Sequence, residues 1–186
     1  MNSLSASLSI FCLLLLLLGC GEETTVKPSA MLRLQYPMPE YQTIDTNCPY
    51  SFQANRMATI DSKADCAINL HYSKMKATVY LTYQQIDGNL EKLLQDAQKL
   101  TFDHTVKASQ IFEQPRVDSI QNVYGMFYMI NGDAATQSQF YATDSIGHFL
   151  SGSLYFEAKP NYDSLYPAVE YLRNDMRRLM ETLTWE

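Results

Sequence analysis

Apolar positions follow three different spacings along this chain, and each spacing predicts a different kind of element. The first is an unbroken run, Ile10 to Leu18. At ~1.5 Å rise per residue it falls far short of the ~30 Å hydrocarbon core, but it suits the apolar region of an export signal, roughly 7–15 residues long. The second is alternation. "CPYSFQ", "CAINLHY" and "ATVYLTY" read as strands; the last puts Ala77, Val79, Leu81 and Tyr83 on one face and Thr78, Tyr80 and Thr82 on the other. The third is helical. After Asp87-Gly88-Asn89, which breaks the alternation and offers an N-cap, Leu90, Leu93, Leu94, Ala97, Thr101, His104, Ala108 and Ile111 fall near one stripe. That predicts a long helix ended by Pro115.

Alternation returns in "NVYGMFYMI", "TQSQFYATD" and "GHFLSGSLYFEA", separated by the turn formers Asn131-Gly132-Asp133 and Ser145-Ile146-Gly147. A second helix is expected from about Asp163 or Ser164. Its stripe is Leu165, Ala168, Val169, Leu172, Met176, Leu179, Met180 and Leu183, with Arg177 and Arg178 toward the negative dipole end. The order β-β-β-α-β-β-β-α describes an α+β domain: an antiparallel sheet of about six strands sandwiched by two long helices. The strand over 123–130 has Val123, Phe127 and Met129 on one face and Tyr124, Met126, Tyr128 and Ile130 on the other. Such a strand belongs mid-sheet with both faces covered. One helix per face is the simpler solution; a partner protein on one face is the alternative.

The start of the chain changes the picture from a domain to an anchored domain. Leu17-Leu18-Gly19-Cys20 resembles a bacterial lipobox, in which the cysteine thiol is lipidated and the chain is cut just before it. The expected organisation is a lipoprotein signal peptide over 1–19, a lipidated Cys20 with a flexible tether over 20–34, and a single α+β domain over 35–186. Prolines 37 and 39 favour an extended entry into that domain. The only attached groups expected are a diacylglycerol and an N-acyl chain, palmitate among the candidates, on Cys20; more than one chain is needed for stable anchoring. No cofactor is implied.

Charge narrows the partners. The net charge is −6, with no clustered basic stretch, which argues against nucleic acid and against docking on anionic lipid through basic patches. Cys12 leaves with the signal and Cys20 carries lipid, so Cys48 and Cys66 remain. In an exported protein such a pair reads as a disulfide worth about 3 kcal/mol by chain entropy, the alternative being two buried thiols.

The densest polar cluster, "TDSIGH" over 143–148, contains Asp144, Ser145 and His148. All three lie in one hairpin turn, whereas a catalytic triad converges from remote positions, and no G-x-S-x-G elbow occurs. An Asx-turn is the better reading of Asp144. No catalytic residue is assigned. His71, His104 and His148 lack ligand spacing, so no metal site is expected. Thirteen tyrosines are many for this length. Most fit strand propensity and core filling, but Tyr141, Asp144, His148 and Tyr155 form the candidate interaction surface.

Read together, "LQYP", "CPYSF", "CAINLHY", "KATVYLTY", "QFYATDSIGHFLSGSLYF", "PNYDSLYPAVEYL" and "LMETLTWE" resemble the gliding motility lipoproteins of the GldD family of Bacteroidota. That resemblance spans about Leu34 to Trp185. It implies a non-enzymatic envelope lipoprotein needed for assembly or stability of the gliding machinery and linked type IX secretion. It also implies partners among other envelope proteins of those systems. Gly21 rather than Asp after the lipidated cysteine favours the outer membrane; Glu22-Glu23 also resembles a surface-export signal of some lipoproteins, but two glutamates are a weak signal and the periplasmic leaflet is the preferred reading. A reading from another class is a periplasmic ligand- or glycan-binding lipoprotein that uses the tyrosine-bearing sheet.

Overall fold

The structure, a computed structural model, describes residues 36–103, 107–158 and 161–186. The expected signal, Cys20, the tether and His104 lie outside the described residues. Among the described residues, ten strands and two α-helices follow in the order β1 (Tyr41–Ile44), β2 (Tyr50–Asn55), β3 (Thr59–Ser62), β4 (Ile68–Tyr72), β5 (Ala77–Gln85), α1 (Leu90–Phe102), β6 (Ala108–Asp118), β7 (Val123–Gly132), β8 (Thr136–Thr143), β9 (His148–Phe156), α2 (Tyr162–Glu181) and β10 (Thr184–Trp185). The class is α+β, as the pattern predicts.

The strand inventory differs from the expected six. A seven-stranded antiparallel sheet runs β3-β4-β5-β9-β8-β7-β6, and a separate three-stranded sheet runs β1-β2-β10. "CPYSFQ" therefore belongs to the small sheet, not the large one. The two-residue β10 and the four-residue β1 and β3 are too short to carry a readable period.

The larger correction concerns the first helix. It stops at Phe102, and Ala108–Asp118 is an edge strand paired along its length with β7. Thr101, Ala108 and Ile111 fit a helical stripe, but β7 is apolar on both faces, and it had an edge to fill. Tertiary pairing overrode the local period. Pro115 sits opposite Met126 within this strand. It is tolerated because an edge strand has one side with no ladder to complete.

Alternation along β7 and β8 shows how the faces are covered. Arg177 of α2 lies over the Phe127 ring at 5.0 Å, and Arg173 of α2 donates to Ser138. The next residues along, Tyr128 and Gln139, meet α1 instead: Phe102 packs edge-on to Tyr128 and Thr101 bonds Gln139. Each helix thus takes one face. They do not take equal shares. The twenty-residue α2 is joined by the small sheet, since Tyr50 of β2 stacks on Tyr83 at 5.6 Å. The thirteen-residue α1 crosses only the middle of its face.

The core lies under α2. Leu172, Met176 and Leu179 are fully buried against Leu81, Leu150 and Leu154, each such side chain contributing about 1.5–3 kcal/mol. Gly152 pairs with Phe140, and a β-carbon there would run into the Phe140 ring; the missing side chain lets that ring lie across the strand. Cys48 and Cys66 form a disulfide with Cα atoms 5.6 Å apart, and the Tyr50 hydroxyl donates to the Cys66 carbonyl at 2.8 Å. The bridge ties the loop before β2 to the turn before β4.

Candidate functional site

The turn between β8 and β9 brings Asp144 and His148 together. One Asp144 oxygen accepts the backbone amides of Ile146, Gly147 and His148 at 2.8–2.9 Å, and Ser145 takes a positive φ of 67° to allow it. Burial pushes the Asp144 carboxyl upward, but the three amides and the neighbouring imidazole outweigh it and hold the group below its ordinary range. The carboxylate is occupied by its own turn. Its other oxygen stands 4.0 Å from His148 Nε2.

His148 turns toward the α2 face. Its Nδ1 meets the Tyr83 hydroxyl at 2.8 Å, and its ring stacks on Trp185 at 5.3 Å. Trp185 is fixed in turn by donating to the Asn122 carbonyl. Burial first, and then the Asp144 charge, raise the Tyr83 phenol. The hydroxyl bonded to this imidazole is therefore a poor nucleophile, and within the turn the Ser145 backbone amide donates to Thr143 Oγ1 at 2.9 Å. The arrangement closes a hairpin and pins the C-terminal strand.

Tyr141 and Tyr155 lie elsewhere, on the α1 face. Tyr141 stacks on Phe149 at 5.8 Å, and Tyr155 meets Tyr80 edge-on at 5.8 Å. The four residues of the candidate surface thus divide into two places. Around the tyrosines, Tyr80, Leu100 and Phe102 are each nearly half exposed, and Val117 is 72% exposed. Between α1 and the sheet a cavity of about 160 Å³ opens beside Tyr128, Gln139, Tyr141 and Phe149.

Two buried polar clusters escaped the sequence reading. Arg173, 2% exposed, donates to Ser138 Oγ, the Ile130 and Gln137 carbonyls, Asn131 Oδ1 and Glu170. It gathers the end of β7 and the start of β8 onto α2. Asp175, 4% exposed, accepts from Tyr41 at 2.8 Å and Asn55 at 2.9 Å, with Tyr72 also bonded to it. Burial outweighs these donors and raises its carboxyl. The available signal was position: both residues fall beside Leu172 and Met176, within the arc of α2 that the apolar stripe buries.

Among the described residues no group of three or more His, Cys, Asp or Glu could hold a metal, and no helix is long and apolar enough to cross a membrane. No curated protein matches the chain. The family described as gliding motility lipoprotein GldD matches residues 21–185, nearly the whole length. The chain belongs to the gliding motility lipoprotein GldD family, whose members are envelope-anchored lipoproteins associated with gliding.

Proposed function

We propose that this protein is a non-enzymatic lipoprotein, held by acyl chains on Cys20 in the outer membrane and facing the periplasm. There it supports assembly or stability of the gliding machinery and of linked type IX secretion. The observation that carries the reading is the family match across residues 21–185. The site geometry agrees with a binding role rather than with catalysis: the Asp144 carboxylate is taken up by its own turn, and His148 is committed to Tyr83 and Trp185. Partner contact falls to the α1 face, where Tyr141 and Tyr155 offer aromatic area at low entropy cost. Asp144 and His148 contribute by shaping the hairpin at its edge.

The test is complementation. A strain lacking the gene is expected to lose spreading and secretion of type IX cargo, and the full chain restores both. Cys20→Ala is expected to restore neither, although the domain accumulates in the soluble fraction. Normal gliding of the deletion strain, or full rescue by Cys20→Ala, contradicts the reading.

A further inference from the structure

The cavity under α1 is built around a polar group with one end unused. Gln139 is 3% exposed and borders the cavity. Its Oε1 lies 2.7 Å from Thr101 Oγ1, and its Nε2 is buried without a partner. Leaving such a group unsatisfied is costly, so a ligand that pairs with it gains affinity. Thr101 Oγ1 also lies 3.1 Å from the Ala97 carbonyl. A hydroxyl has a single hydrogen, so it cannot donate to both oxygens. If Thr101 donates to Ala97, the amide turns over: Nε2 donates to Thr101, and Oε1 becomes the unused end. Either way one end of the Gln139 amide is left without a partner beside the cavity, as a donor or as an acceptor.

The rest of the lining states what that end meets. It has no Lys, Arg or His; Asp96 supplies its single charge. Anions are therefore disfavoured. Polar neutral groups come from Gln84, Ser151 and Ser153, and flat apolar area from Tyr141 stacked on Phe149. Tyr128 stays protonated at any physiological pH, because burial, with Tyr141 and Glu113 nearby, pushes its phenol up to about 12. At about 160 Å³ the space is smaller than the roughly 300–1,000 Å³ of drug-sized sites, so it takes one ring or the end of a chain.

We propose that this cavity binds a neutral sugar residue, with a ring face against Tyr141 and a hydroxyl on the free end of the Gln139 amide. A hydroxyl both donates and accepts, so it pairs with Gln139 in either orientation. Asp96 and the serines reach other hydroxyls at the mouth. The site does not depend on the gliding role: either proposal can fail alone.

The experiment is a ligand-observed NMR titration of the purified full chain in a detergent without a sugar headgroup. The probes are glucose, N-acetylglucosamine and chitobiose, with glucose 6-phosphate and glucuronate as anionic controls. Saturable binding of a neutral sugar is expected, with a dissociation constant on the order of 1 mM. Tighter binding of chitobiose than of glucose assigns the source to cell-wall glycan; the reverse assigns it to free sugar. Gln139→Leu is expected to weaken binding about tenfold or more while the thermal midpoint is kept. Ala97→Leu, which fills the cavity from the helix side, is expected to weaken it as well. The proposal is overturned if no neutral sugar binds, if the anionic controls bind as tightly, or if both variants bind like the parent.

Discussion

The same four central strands present two faces that differ in kind. On the α2 face the buried charges are provided for: Arg173 reaches five acceptors and Asp175 gathers three donors, while Tyr50, Phe52 and Trp185 close the margins. On the α1 face a shorter helix leaves a cavity, an amide with an unpaired end, a half-exposed Tyr80, and a half-buried Tyr141 and Tyr155. Because neighbouring residues of one strand point to opposite faces, both faces were available to the same sequence for core building. Only one was fully used for it. The difference separates the surface that holds the fold from the one proposed for recognition.

The sharpest way to break that division is to attack the sealed face. Arg173→Ala removes the guanidinium from its buried acceptors and is expected to destabilise the domain by about 3–5 kcal/mol in denaturant melts. A loss under about 1 kcal/mol would mean that α2 does not depend on this bracket. Next, Cys48→Ser with Cys66→Ser opens the loop tied across this side. The expected loss is about 3 kcal/mol, read as a lower urea midpoint without a change of fold by circular dichroism.

Asp144→Ala tests the hairpin at the boundary of the two faces. Three charge-assisted bonds to turn amides are lost, so the cost at neutral pH is expected to be about 1–2 kcal/mol. The sign with pH follows from a carboxyl held low in the folded state. Its stabilisation is complete above the unfolded value of about 3.9 and fades as pH falls through the folded one. The stability gap between parent and variant therefore shrinks in acid; a gap independent of pH contradicts the role given to the carboxylate.

The smallest effect belongs to the α1 face. Gln139→Leu deletes an amide with an unsatisfied end and loses one bond to Thr101, so stability should move by less than about 1 kcal/mol. A loss of the size expected for Arg173→Ala would show that this face is structural too.

How much of this was legible in the sequence depended on whether the local period and the tertiary partner agreed. They agreed in β5, β7, β8, β9 and α2, where alternation or a long stripe coincided with what each element meets. They disagreed over 101–111, where a helical spacing runs straight from α1 into β6. The open edge of β7 decided that segment, and a sheet edge is not a local property. The candidate site was half legible. Asp144 could be read as a turn former from spacing alone, and Tyr141 and Tyr155 as strand residues. The cavity was not legible, because Gln139 and Thr101 are remote in sequence and meet only when α1 crosses β8.

In the proposed function, recognition resides on the α1 face. The direct measurement is spreading of a deletion strain complemented with two sets of surface substitutions, each checked for normal protein level and thermal midpoint. One set carries Tyr80→Ser, Tyr141→Ser and Tyr155→Ser on the α1 face; the other carries Asp163→Ser and Tyr166→Ser along α2. The first set is expected to abolish spreading and the second to leave it intact. Loss confined to the second set, or equal behaviour of the two, contradicts the proposal.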